Sequence, residues 1–133
     1  MNNSVFSKII RGEIPSYKVY EDEHVFAFLD INPINPGHTL VVPKVEIDHL
    51  WDLDDATYNN LLTVAKKLAR HIKKTLNAPR VGMVVEGFAI PHAHIHLLPV
   101  YEGFEATMRK PKTDQNSPDD LTSMAKKLWL KND

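Results

Sequence analysis

The sequence predicts an α+β fold, with a five-stranded antiparallel sheet, one long helix, a short N-terminal helix and a short C-terminal helix. Three observations carry the prediction. One segment, residues 55–76, places Tyr58, Leu61, Leu62, Ala65, Leu68, Ile72 and Leu76 at helical spacing. Strand-like runs lie on both sides of this segment, so strands and helices do not alternate regularly. The connections between neighbouring runs are of hairpin length, which favours antiparallel pairing over a doubly wound parallel sheet.

The elements follow in order. Residues 5–11 read as a helix, capped by Ser4, given an apolar side by Phe6, Ile9 and Ile10, and ended by Gly12 with Pro15 beyond. Residues 17–21 and 25–29 read as two strands, with Asp22-Glu23 as the turn between them. Two prolines and a glycine make residues 32–37 a loop, and 39–42 form a third strand stopped by Pro43. In the long helix, Lys66, Lys67, Lys73 and Lys74 lie largely off the apolar stripe and read as a solvated face, and Asn77 and Pro79 close it. Residues 81–85 and 93–100 are the fourth and fifth strands. Residues 102–116 are polar and read as a mobile loop, and 117–131 as the last helix, with Ser117 as cap, Pro118 in the first turn and Asp119 and Asp120 beside it.

Composition bounds the function. The 133 residues suit one domain spanning 1–133. With 43% hydrophobic and 25% charged residues the chain should fold, and a formal net charge of -1 supplies no basic field for nonspecific nucleic-acid binding. Cysteine is absent, which excludes disulfides and thiolate zinc sites and suits a reducing compartment. Neither an apolar signal core nor a membrane-spanning stretch is present, so the expectation is a cytoplasmic protein without a membrane partner.

The chemistry concentrates in Pro91-His92-Ala93-His94-Ile95-His96. On a strand the three imidazoles share one face, while Ala93, Ile95 and Leu97 share the other and read as core. A row of imidazoles has no packing advantage, because each desolvated ring nitrogen needs a partner and charging all three is repulsive. Imidazole titrates near neutral pH and suits nucleophile, acid and base roles. The bland alternative is a set of satisfied or solvent-facing histidines. A metal is a second alternative, but Cα atoms of His92 and His96 stand roughly 13 Å apart in a straight strand at about 3.3 Å per residue. A zinc ion would then need two of the three rings plus an outside ligand such as His38 or a carboxylate. A phosphate group, being larger, fits better.

These residues resemble the histidine-triad superfamily. His92-Ala93-His94-Ile95-His96-Leu97-Leu98 is similar to its signature, Ser4 through Pro15 to its opening helix, and Phe28-Leu29-Asp30-Ile31-Asn32-Pro33 with Pro36 through Lys44 to its second block. The resemblance spans roughly residues 4–100 and is nearest to the small homodimeric branch that hydrolyses nucleoside phosphoramidates. It implies a histidine-triad fold. It also implies a phosphoramidase-like or dinucleoside polyphosphate hydrolase-like enzyme, a purine nucleotide substrate, a homodimer and no required cofactor. By the same resemblance His94 attacks the α-phosphate and forms a nucleotidyl-histidine, and His96 contacts phosphate oxygens. His92 orients the cluster, and His38 hydrogen-bonds to the triad's first ring. Phe6, Ile9, Phe28, Leu29 and Ile31 surround the base, although from the residues alone these five read as core. Asp30 accepts from the ribose hydroxyls, against the plainer reading of a loop-capping aspartate.

Some positions depart from the branch. Phe88 and Ala89 stand where it often has Gln and Ser or Thr, Glu86 is the nearest residue to a usual asparagine, and Val45-Glu46 replaces a common histidine. These changes leave open a non-catalytic, nucleotide-binding dimeric regulator. Main-chain N–H groups around Gly87 to Ala89 are a possible substitute for the lost side chains. Val64 and Ala69, outside the main helical stripe, and the C-terminal Trp129 and Leu130 are candidates for contact with a partner subunit. His24 and His71 read as exposed, and His49 carries no assigned role.

Overall fold

The computed structural model describes residues 3–108 and 112–132. The chain runs α1 (Val5–Ile10), β1 (Lys18–Glu21), β2 (Val25–Leu29), β3 (Thr39–Pro43), α2 (Asp55–Leu76), β4 (Arg80–Val84), β5 (Ile95–Val100) and α3 (Pro118–Leu128). One-turn 3-10 helices at Leu50–Asp52 and Glu105–Thr107 complete it. The five strands form one sheet in the order β1-β2-β3-β5-β4, and every pairing is antiparallel. The α+β class and strand count stand as expected.

Strand alternation sorts side chains onto two faces. Val25, Ala27, Leu29, Val41, Ile95 and Leu97 meet Leu61, Val64, Ala65, Leu68 and Ile72 of α2 in the main core. Phe26, Phe28, Leu40 and Val42 point the other way and pack with Phe6 and Ile9 of α1 in a smaller cluster. Because β2 and β3 are covered on both faces, they are buried throughout rather than alternating. The helices are capped by local chemistry. The Asp54 carboxylate accepts the Thr57 N–H, Asn77 takes the left-handed conformation that ends α2, and Ser117 and Asp120 cap α3 reciprocally.

Several expectations need correction. Strand β5 begins at Ile95, so His92 and His94 precede the paired strand and only His96 lies on it. The alternation nevertheless persists, since Ala93 joins the main core while His92 and His94 lie on the Phe6 side. Val64 sits in the chain's own core and offers no surface to a partner. His71 is only partly exposed, and its Nε2 lies 3.1 Å from the Leu128 carbonyl at the end of α3. The last helix stops at Leu128; beyond it the Leu130 N–H donates to the Val19 carbonyl (2.9 Å), so the C-terminal segment runs along β1 of its own chain. The described part of 102–116 is tied down too. The Thr113 N–H bonds to the Pro33 carbonyl (3.0 Å), and the Glu105 carboxylate takes the Tyr101 and Glu102 N–H groups. Among the described residues no helix is long and apolar enough to cross a membrane.

Candidate functional site

The β3–β5 register puts Leu40 opposite His96, so His38, two residues before Leu40 on the same face, lies diagonally across from His96. Gly37, just before His38, packs closely against the end of α2. It adopts φ +96, and a Cβ there would come within 2.5 Å of Leu76. His38 follows, almost fully buried, with its N–H on the Asn35 carbonyl and its carbonyl accepting the Asp30 N–H.

Hydrogen bonds then assign the ring protons one after another. The Ile34 N–H donates to His38 Nδ1 (3.1 Å), so the neutral His38 ring carries its proton on Nε2. That Nε2–H faces His96 Nδ1 at 2.9 Å, which leaves the His96 proton on Nε2. His38 is therefore bonded to the third ring of the run and not the first, a correction imposed by the strand register. His92 has 0% exposure; its Nε2–H donates to the Pro43 carbonyl (2.8 Å) and its Nδ1 lies 2.8 Å from Ser4 Oγ. His94 Nδ1 lies 2.8 Å from the His92 carbonyl, an acceptor only, so the His94 proton sits on Nδ1. His94 Nε2 keeps its lone pair and makes no hydrogen bond among the described residues. At 7% exposure the ring is sheltered but reachable. The rings of His94 and His96 are 5.2 Å apart, and Phe6 presents its edge to His94 at 4.9 Å.

Burial keeps His38, His92 and His96 neutral. Burial pushes His38 and His96 down to about 4, with the nearby Asp30 carboxylate pulling upward only in part. Burial also lowers His92, against the opposing pull of the Pro43 carbonyl and Glu46. A neutral His96 ring suits a hydrogen-bond donor whose single proton is fixed on Nε2.

His94 and His96 open onto a cavity of about 540 Å³. All six residues expected in a nucleoside pocket line it: Phe6, Ile9, Phe28, Leu29, Asp30 and Ile31. Phe6, Ile9 and Phe28 also belong to the smaller core cluster, so the core and pocket readings coincide there. Ile31 is 58% exposed and is pocket rim, not core. One Asp30 oxygen accepts the Asn32 N–H (2.8 Å), as a loop-capping aspartate does, and the other lies 3.6 Å from His38 Nε2. The Glu86–Ala89 loop forms another wall; Gly87 has φ +71 and Phe88 is 96% exposed. Sequence reasoning missed Lys112, which lines the cavity from the polar loop. A second cavity of about 350 Å³ reaches His94 from the side of His49 and Trp51.

A cation site would draw on Asp30, His38 and His96, whose donor atoms lie within 4.8 Å of one another. That set contains one ring of the triad, not the two that the zinc alternative requires. Its two imidazoles already face each other across a hydrogen bond, which fits a shared proton better than a metal ion.

The HIT domain family model matches residues 11–103. "Protein hit" of Bacillus subtilis is 40% identical over 138 aligned positions, covering 95% of this chain and 94% of that protein. Adenosine 5'-monophosphoramidase HNT1 of Saccharomyces cerevisiae is 38% identical over 96 positions, covering 71% of this chain and 61% of its own. Among solved structures, a Hit-like protein from Bartonella henselae superposes with a TM-score of 0.83 at 35% identity, covering 96% of this chain and 95% of that one.

Proposed function

The chain belongs to the HIT domain family, and on that premise we propose that it hydrolyses purine nucleotides at the α-phosphate through a covalent intermediate on His94. The observation that carries the proposal is the His94 ring. Its Nδ1–H is committed to the His92 carbonyl and its Nε2 lone pair lies at a cavity that also holds Asp30 and His96.

The reaction has two displacements. His94 Nε2 attacks the α-phosphorus, the bond to the leaving group breaks, and the departing nitrogen or oxygen takes a proton from water. Water then attacks the nucleotidyl-histidine, the P–N bond breaks, and a nucleoside monophosphate leaves with the ring restored. The His96 Nε2–H, fixed by His38 behind it, donates to a phosphate oxygen as charge develops there. The apolar wall of Phe6, Ile9 and Phe28 takes the base. The relative named as an adenosine 5'-monophosphoramidase supports a phosphoramidate as first substrate to try. Incubation with adenosine 5'-phosphoramidate should release adenosine monophosphate and, after rapid denaturation, leave adenylate on a histidine-containing peptide. Neither product nor adduct at high enzyme concentration would overturn the proposal in favour of a binding protein.

Asp30 sets sugar selectivity in this reading. Loss of a charged acceptor for the ribose hydroxyls should cost roughly 10- to 100-fold in kcat/KM. Asp30→Ala should show that loss with the ribonucleotide and little change with its 2'-deoxy counterpart. An equal loss on both substrates would remove Asp30 from the ribose.

A further inference from the structure

We propose that Glu46 is a positioning residue that acts through Ser4 and Ser7 to hold His92, and with it the carbonyl on which the His94 ring depends. The inference rests on the hydrolase reading for its kinetic consequence but not for its structural one.

Three segments meet at His92. From α1 and its cap come Ser4 and Ser7, from the segment after β3 comes Glu46, and from the histidine run comes the ring itself. The Glu46 Oε1 accepts the Ser4 N–H (2.8 Å) and the Ser7 hydroxyl (2.7 Å). A carboxylate can only accept, so it commits the single Ser7 hydroxyl hydrogen. The Ser4 Oγ accepts the Ser7 N–H (2.9 Å), and its own hydrogen has two targets, His92 Nδ1 at 2.8 Å or Ser7 Oγ at 3.2 Å. With the His92 proton spent on the Pro43 carbonyl, Nδ1 is a bare acceptor and takes it. The chain of donors thus runs one way, and the fully buried ring is pinned at both nitrogens.

Without an acceptor at position 46 that direction is lost. The Ser7 hydroxyl is released, and it lies 3.5 Å from His92 Nδ1, close enough to compete with Ser4. The network then has several arrangements of similar energy, and the His92 ring is no longer held in one. What this disturbs is specific, because the His92 carbonyl is the acceptor that holds the His94 proton on Nδ1. Phe6, two residues beyond Ser4, contacts both the His92 and the His94 rings, so slack at the α1 cap reaches the nucleophile by packing as well. Misplacement of a reacting group by about 1 Å costs on the order of a hundredfold in rate.

The test uses Glu46→Ala, which removes the acceptor, beside Glu46→Gln, whose amide oxygen can still accept from Ser4 and Ser7. Side-chain nitrogen NMR of the full protein reports the His92 ring directly. Glu46→Ala should shift and broaden the Nδ1 resonance, and single-turnover adenylation should slow about tenfold to a hundredfold with KM within about threefold. Glu46→Gln should recover most of the rate and the sharp resonance, which separates the hydrogen-bonded role from loss of fold. An unchanged His92 spectrum in Glu46→Ala would overturn the proposal, as would wild-type single-turnover rates with a changed spectrum. If no nucleotide is turned over by the wild type, the hydrolase reading falls, and the spectrum still decides whether Glu46 holds His92.

Discussion

His94→Ala is expected to lower nucleotidyl transfer by about 10⁴-fold or more, because the variant has no group that can carry the intermediate. The chain has other imidazoles nearby, yet none can substitute. The His92 nitrogens are both engaged, at Pro43 and Ser4, and the His96 Nδ1 is engaged by His38. His96 has its remaining proton on Nε2, which makes it a donor where the chemistry needs a lone pair. Loss of the His96 ring should therefore weaken charge stabilisation, by roughly 10²- to 10³-fold, while leaving a covalent adduct possible on His94. The two variants separate by adduct as well as by rate. His96→Ala should still trap adenylate on the peptide containing residue 94, and His94→Ala should trap none. Equal turnover by wild type and His94→Ala would remove the nucleophile assignment altogether.

How far the sequence could be read depended on whether a relation was local. Helix α2 was legible along its length because its stripe and its Asn77 stop are within a turn of the residues they affect, while its Asp54 cap came only with the structure. The second strand was legible because its boundaries are marked by a turn and by a proline-rich loop. Relations across the sheet were not. His38 and His96 are 58 residues apart, and only the Thr39–Leu97 and Leu40–His96 pairings show that they touch. Strand alternation placed three imidazoles on one face but could not show that β5 begins after two of them. There the neighbouring β3 ends in proline and the ring of His92 takes the carbonyl of Pro43. Ser4 was legible as a cap and illegible as a partner of His92, since the cap is a relation over 3 residues and the partner lies 88 away. The pocket residues fell between these cases. Phe6 and Phe28 announce an apolar surface, and whether it is core or cavity wall depends on where the chain stops filling space.

Acid should remove stability between about pH 6.5 and 4. In an unfolded chain a histidine gains its proton near pH 6.5. In the fold, burial holds His38 and His96 neutral down to about 4. Between those values the unfolded chain binds more protons than the folded one, so stability rises with pH and falls as acid is added. The contribution is complete above the unfolded value and gone below the folded one. A single independent ring shifted this far would account for about 3 kcal/mol, and the two rings share one hydrogen bond, so the pair yields less than twice that. Glu105 does not blur the interval. Burial alone would raise its carboxyl, but the N–H groups of Tyr101 and Glu102 outweigh burial and hold it down to about 2, so its stabilising effect is lost from its ordinary value of 4.5 down to about 2, almost wholly below the histidine interval. Urea unfolding should therefore give a free energy nearly flat above neutrality, a decline of several kcal/mol from about pH 6.5 to 4, and a much shallower decline in a His38→Asn, His96→Asn double variant. A wild-type curve that is flat across this interval would mean that the rings take protons without cost, and His96 would then meet its phosphate as a cation below about pH 6.5. A decline confined to the wild type would assign the energy to keeping these two rings neutral, the state in which the hydrogen bond from His38 leaves His96 a single proton on Nε2.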